Sequence, residues 1–144
     1  GPDIFINIIK DIHKQNNKIE VLLTGLRREY IINELEKAGI KYYYFNMVSI
    51  NTMNELYNCL DLYLVSSRCE GGPRSVFEAG LTQTPIISTR MGISPELMGR
   101  SALFDANDWK TYKNAKVKTE LLYENIKKLA SREYLEEFKN YLIN

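Results

Sequence analysis

Cysteine and histidine are scarce: Cys59, Cys69 and His13 are the only ones among 144 residues. Two thiols make no disulfide framework, and with one imidazole they fall short of a normal zinc ligand set. There is no excess of one charge either. Nineteen basic against 18 acidic residues leave a formal +1, which excludes a nucleic-acid binder resting on phosphate neutralisation. No apolar run approaches the roughly 18 to 20 residues that cross a bilayer. The amino end shows no basic region followed by an apolar stretch and a cleavage site. No basic amphipathic segment is strong enough to anchor the chain to a lipid surface. A reducing cytoplasm, without membrane contact from this segment, is therefore the expected setting. Both G-x-G-x-x-G and the Walker lysine motif are missing, which argues against dinucleotide and P-loop sites. The triplet Asp-x-Asp is missing too.

What is there is an ordinary mixture, 44% apolar and 26% charged, of a size that suits a single domain over residues 1–144. Apolar periodicity switches repeatedly between two habits. Ile4, Ile8, Ile9 and Ile12 predict a helix over 3–15, with Asp3 as its cap. Strands are predicted at 18–24, 40–45, 60–65, 85–88 and, weakly, 102–104. Helices are predicted at 27–38, 52–59, 75–81 and from Ser94, where Pro95 takes the first turn. Two more, over 119–130 and 131–142, each open on a hydroxyl residue placed to cap them. Alternating units of this length predict an α/β fold, a doubly wound parallel sheet with helices on both faces. Ligands of such folds bind beyond the carboxyl ends of the strands, which nominates 25–27, 46–48, 66–74 and 89–92 as one rim.

The third of these segments carries the chemistry: Ser66-Ser-Arg-Cys-Glu70-Gly-Gly-Pro-Arg-Ser-Val-Phe-Glu78-Ala-Gly80. It leaves a strand, turns through Gly71-Gly72 and enters a helix with Pro73 at its start, where a missing N–H costs nothing. The backbone N–H groups of Arg74 and Ser75 then face the crevice at the positive end of the helix dipole, which suits a phosphate. Glu70 and Glu78 flank the turn, and ionised carboxylates accept hydrogen bonds from sugar or ribose hydroxyls. Taken alone, the spacing also fits a plain turn with a solvated Glu78 and a surface Arg74.

Several separated motifs in order carry more. Glu70 and Glu78 have seven residues between them, followed by Ala79-Gly80 and Thr84-Pro-Ile-Ile-Ser-Thr89. Val21-Leu-Leu-Thr-Gly25 and Leu56-Tyr57 precede them, the latter just before Leu60-Asp-Leu-Tyr-Leu-Val-Ser-Ser67; Gly92 and Glu96 follow. From Gly1 to about residue 104 the chain resembles the C-terminal, donor-binding domain of family 4 retaining glycosyltransferases of the GT-B type. The resemblance implies a Rossmann-like half of the GT-B fold and a nucleotide-sugar donor, a UDP- or GDP-sugar, with no cofactor and no metal. Glu78 would bind the ribose hydroxyls. Glu70 would contact the transferred sugar at the reacting face and is the residue nearest to a catalytic role. The backbone of Gly71, Gly72, Arg74 and Ser75 would bind sugar and distal phosphate. The segment Asn46–Val48, with Val48 foremost, would receive the base, and Gly25 would let its loop approach the donor.

The sequence departs from the family pattern at three places. Gly71-Gly72-Pro73 stands where Gly-Phe-Gly is common, so Pro73 offers no donor. Asn46 stands where a glycine is common, and the Arg and Lys that usually grip the diphosphate would lie before Gly1. A glycan or lipid acceptor would be bound by an N-terminal lobe outside this sequence, so the segment by itself is expected to be inactive. Two rival readings share the half-fold: a nucleotide-sugar epimerase-like protein, and a non-catalytic binding domain. Other side chains have lesser expectations. His13 reads as solvated, while Arg27, Arg28, Arg68 and Arg90 are secondary phosphate candidates. Tyr42-Tyr43-Tyr44 reads as strand packing with one ring near the base, and Trp109 has no assigned role. Tyr123, Tyr134, Phe138 and Tyr141 form a stripe that finishes the core or meets the other lobe.

Overall fold

A computed structural model describes residues 1–130 of the chain; the helix expected over 131–142, with Tyr134, Phe138 and Tyr141, lies outside the described residues. Strands β1 (Glu20–Thr24), β2 (Lys41–Phe45), β3 (Tyr63–Val65), β4 (Ile86–Thr89) and β5 (Leu103–Phe104) alternate with helices. These are α1 (Pro2–Gln15), α2 (Glu29–Lys37), α3 (Ile50–Asn58), α4 (Arg74–Leu81), α5 (Ser94–Met98) and α6 (Thr119–Leu129). Short 3-10 turns at Arg100–Ala102 and Trp109–Asn114 had no periodic signal, because three to six residues are too few to show one.

Every pairing is parallel, and the hydrogen-bonded ladder comes in two pieces. β1 pairs with β2, Leu22 opposite Tyr43; β3 pairs with β4 and β4 with β5, Leu64 opposite Ile87 and Ser88 opposite Leu103. Helices cover both faces. α1 spans the two pieces on one side: its Ile6 packs with Val21, Leu23, Ile31 and Leu35, while Ile4 and Ile8 pack with Ile87, Phe104 and Tyr112. On the other side Tyr57 of α3, Val76 of α4, Leu97 of α5 and Leu122 of α6 close over Val65 and Ile86. The alternation Ile86 to one face and Ile87 to the other is the period-two signature of a strand buried on both sides. A cavity of about 30 Å³ lies between β1 and β3, lined by Leu22, Thr24, Leu56, Tyr57, Leu60 and Tyr63 among others. Gly80 lets α4 and α6 approach closely, since a Cβ there would overlap Ile126 and Leu122.

Local chemistry shifts several helix starts. Proline at the first position begins α1 at Pro2 with Gly1 as its cap, so Asp3 lies inside the first turn and does not cap it. Its carboxylate instead accepts two hydrogen bonds from Arg68, one at 2.7 Å, and that guanidinium holds it well below the usual carboxylate range. Thr119 likewise falls inside α6, whose cap is Lys118 with no side-chain bond. Ser49 caps α3 by accepting from the Thr52 amide at 3.1 Å, which starts that helix two residues earlier than the apolar spacing suggests. Trp109 stacks on Tyr112, ring centroids 6.4 Å apart, against the Ile4–Ile8 cluster. His13 is half-buried rather than fully solvated, and its Nδ1 is buried without a partner among the described residues.

Candidate functional site

β3 delivers the chain to a loop, 66–73, that is fixed from beneath by the end of β4 and the segment following it. The Thr89 hydroxyl donates to the Ser67 carbonyl, and the Ile93 amide donates to the Gly71 carbonyl at 3.0 Å. Gly92 passes directly under this loop at φ +48°, and a Cβ on it would overlap the carbonyl oxygens of Gly71 and Glu70. The Ser67 hydroxyl donates to Glu70 Oε1, so one oxygen of this exposed carboxylate is held by its own loop. Gly71 and Gly72 are exposed, while Pro73 is buried and caps α4 with φ −66°.

At the start of α4 the first intrahelical bond runs from the Val76 amide to the Pro73 carbonyl, 2.9 Å. The amides of Arg74 and Ser75 have no hydrogen-bond partner among the described residues, as helix geometry requires of the first turn. One turn further in stands Glu78, its side chain 30% exposed. The Arg74 Nε meets its Oε1 at 2.7 Å, and the Tyr57 hydroxyl donates to its Oε2 at 3.0 Å. Burial, reinforced by Tyr63 and Glu78, pushes the Tyr57 phenol far up from its ordinary value, so it stays a protonated donor.

The structure therefore gathers Glu70, Gly71, Gly72, Arg74, Ser75 and Glu78 around one strand-to-helix turn. Gly25 and Val48 follow the carboxyl ends of β1 and β2. Gly25, at φ +82°, donates its amide to the Phe45 carbonyl and accepts from the Tyr44 hydroxyl at 3.0 Å. No hydrogen bond or ion pair joins Gly25 or Val48 to the Glu70–Glu78 turn among the described residues. Of the secondary phosphate candidates, Arg68 is engaged by Asp3 and Arg28 by the Thr24 carbonyl at 2.8 Å. Of the tyrosine run, Tyr42 packs against the cluster of Val21, Leu23 and Leu35, as strand packing predicts, while Tyr43 and Tyr44 are exposed. Tyr57 is the residue the sequence reading missed as part of the site. Its signal was a hydroxyl at a buried position of an otherwise ordinary apolar stripe.

Parallel strands, helices on both faces and a glycine-rich turn into α4 define the Rossmann-like half of a GT-B fold. A solved structure shares it: AviGT4, described as a glycosyltransferase involved in avilamycin A biosynthesis. It superimposes with a TM-score of 0.58 at 16% identity, over 94% of this chain and 47% of that one, so this chain spans about half of that relative. The family model for "Glycosyl transferases group 1" matches residues 1–129, and the chain belongs to that family. The match runs beyond the stretch of resemblance, which ends near residue 104, to the last turn of α6. No curated protein matches the sequence.

Proposed function

We propose that this chain is the donor-binding half of a glycosyltransferase that moves a hexose from a nucleoside-diphosphate sugar to a glycan or lipid acceptor with retention at the anomeric carbon. Glu78 accepts hydrogen bonds from the ribose hydroxyls, and Glu70 contacts the sugar being transferred. Gly25 and Val48 border the nucleoside, and Gly71 and Gly72 allow close approach of sugar and distal phosphate. As the bond between the anomeric carbon and the diphosphate breaks, the electron pair stays on the phosphate. The amides of Arg74 and Ser75, at the positive end of α4, stabilise that charge without a metal ion. The acceptor is held by protein outside this chain, so transfer belongs to the longer protein.

The observation that carries this reading is the α4 turn itself. It presents two free amides between two carboxylates, with Glu78 held in place by Tyr57 and Arg74. Ligand-observed NMR of this chain against UDP, GDP and ADP tests it. One preferred nucleotide is expected, with a Kd of about tens of micromolar to millimolar, because this chain spans about half of the relative it matches. Glu78→Ala is expected to weaken it about tenfold or more, the worth of a hydrogen bond to a charged group. No binding to a folded sample, or equal binding by the variant, overturns the reading.

A further inference from the structure

Glu78 is held by two groups of opposite character. Arg74 is at the surface, its side chain 81% exposed, and reaches Oε1 within its own helix. Tyr57 reaches Oε2 from a different element and is only 5% exposed. Tyr57 is also pinned on its other sides. Its carbonyl accepts the Thr84 hydroxyl at 3.0 Å, and its ring packs on Tyr63 with centroids 5.3 Å apart. An exposed ion pair contributes little and exchanges readily, whereas a buried, immobilised phenol keeps its geometry.

We infer that Tyr57 is a positioning residue of the donor site, fixing the Glu78 carboxylate so that Oε1 is presented to the ribose hydroxyls once Arg74 is displaced. This inference rests on the donor-site reading above. Tyr57 touches no ligand in this scheme; it holds Oε2 and sets the direction of Oε1. Its phenol stays protonated, so it competes with the ribose for nothing and supplies only a donor. Arg74, freed from Oε1, remains beside the helix start where the diphosphate charge lies.

Tyr57→Phe removes the hydroxyl and keeps the ring and its apolar contacts. The test uses UDP and GDP with their 2′-deoxy analogues on the wild-type chain, Tyr57→Phe, Glu78→Gln and the double variant, each checked for a dispersed amide spectrum. Wild type is expected to prefer the ribonucleotide. Tyr57→Phe is expected to bind it about 3- to 10-fold more weakly, with the ribose-to-deoxyribose preference largely erased. In the Glu78→Gln background the same change is expected to do little, because the two residues act through one carboxylate. A simply structural tyrosine would weaken both nucleotides alike and leave the preference intact. Wild-type preference that survives Tyr57→Phe overturns the role of Tyr57 and leaves the donor reading standing. A wild-type chain that binds no nucleotide overturns the donor reading, and the role of Tyr57 with it.

Discussion

Gly92 shows how much a single residue constrains this site. Its φ of +48° lies in the left-handed region, and the carbonyls of Glu70 and Gly71 occupy the space that a Cβ would need. A methyl group there must push the very backbone that carries Glu70. Gly92→Ala is therefore expected to destabilise the chain by about 1–3 kcal/mol, from backbone strain and overlap together. The same variant is expected to move the amide resonances of Glu70–Gly72, and thermal unfolding with a 15N–1H spectrum reads both effects. A melting temperature and loop resonances equal to wild type would show that the loop has room. Glu78 and Tyr57 make the complementary point, since they meet through their side chains and the backbone only places them.

Among the elements, α1 and α2 are tied by charge as well as by apolar packing. Glu34 on α2 receives Lys10 of α1 at 2.7 Å and Lys37 of its own helix at 2.8 Å. These two ammonium groups, Lys10 foremost, lower its carboxyl from 4.5 to about 2. A carboxyl depressed in the folded state gives stability that is fully present above its unfolded value and is lost as pH falls through the folded one. The chain is thus expected to lose stability between about pH 4.5 and about pH 2 through this group. Glu34→Gln is expected to flatten that part of the profile in urea unfolding at stepped pH; an identical slope in wild type and variant would remove Glu34 from the account. The termini of the helices follow the same logic of local chemistry. Proline at Pro2 and the hydroxyl of Ser49 set the starts of α1 and α3, and both are strictly local signals.

At the scale of the whole molecule, α1 joins the two pieces of the ladder, since Ile6 faces one apolar cluster and Ile4 and Ile8 another. Ile8 is fully buried beside Ile87 and Phe104, so Ile8→Ala is expected to cost about 2–5 kcal/mol. Because α1 serves both clusters, the unfolding transition is expected to shift as one; a separate early transition in calorimetry would show that the pieces unfold independently. Much of this architecture was readable in advance. Strand and helix periodicity, the glycine-rich turn, proline at helix starts and the spacing of Glu70 and Glu78 are properties of neighbouring residues, and so the order of elements and the α4 turn stood in the sequence. Which distant residues meet did not. The pairing of Asp3 with Arg68, the passage of Gly92 under Gly71, the exposure of Tyr43 and Tyr44 and the hydroxyl of Tyr57 on Glu78 depend on how strands and helices pack. Periodicity tells which face of an element is buried, but only the folded chain decides which partner it is buried against.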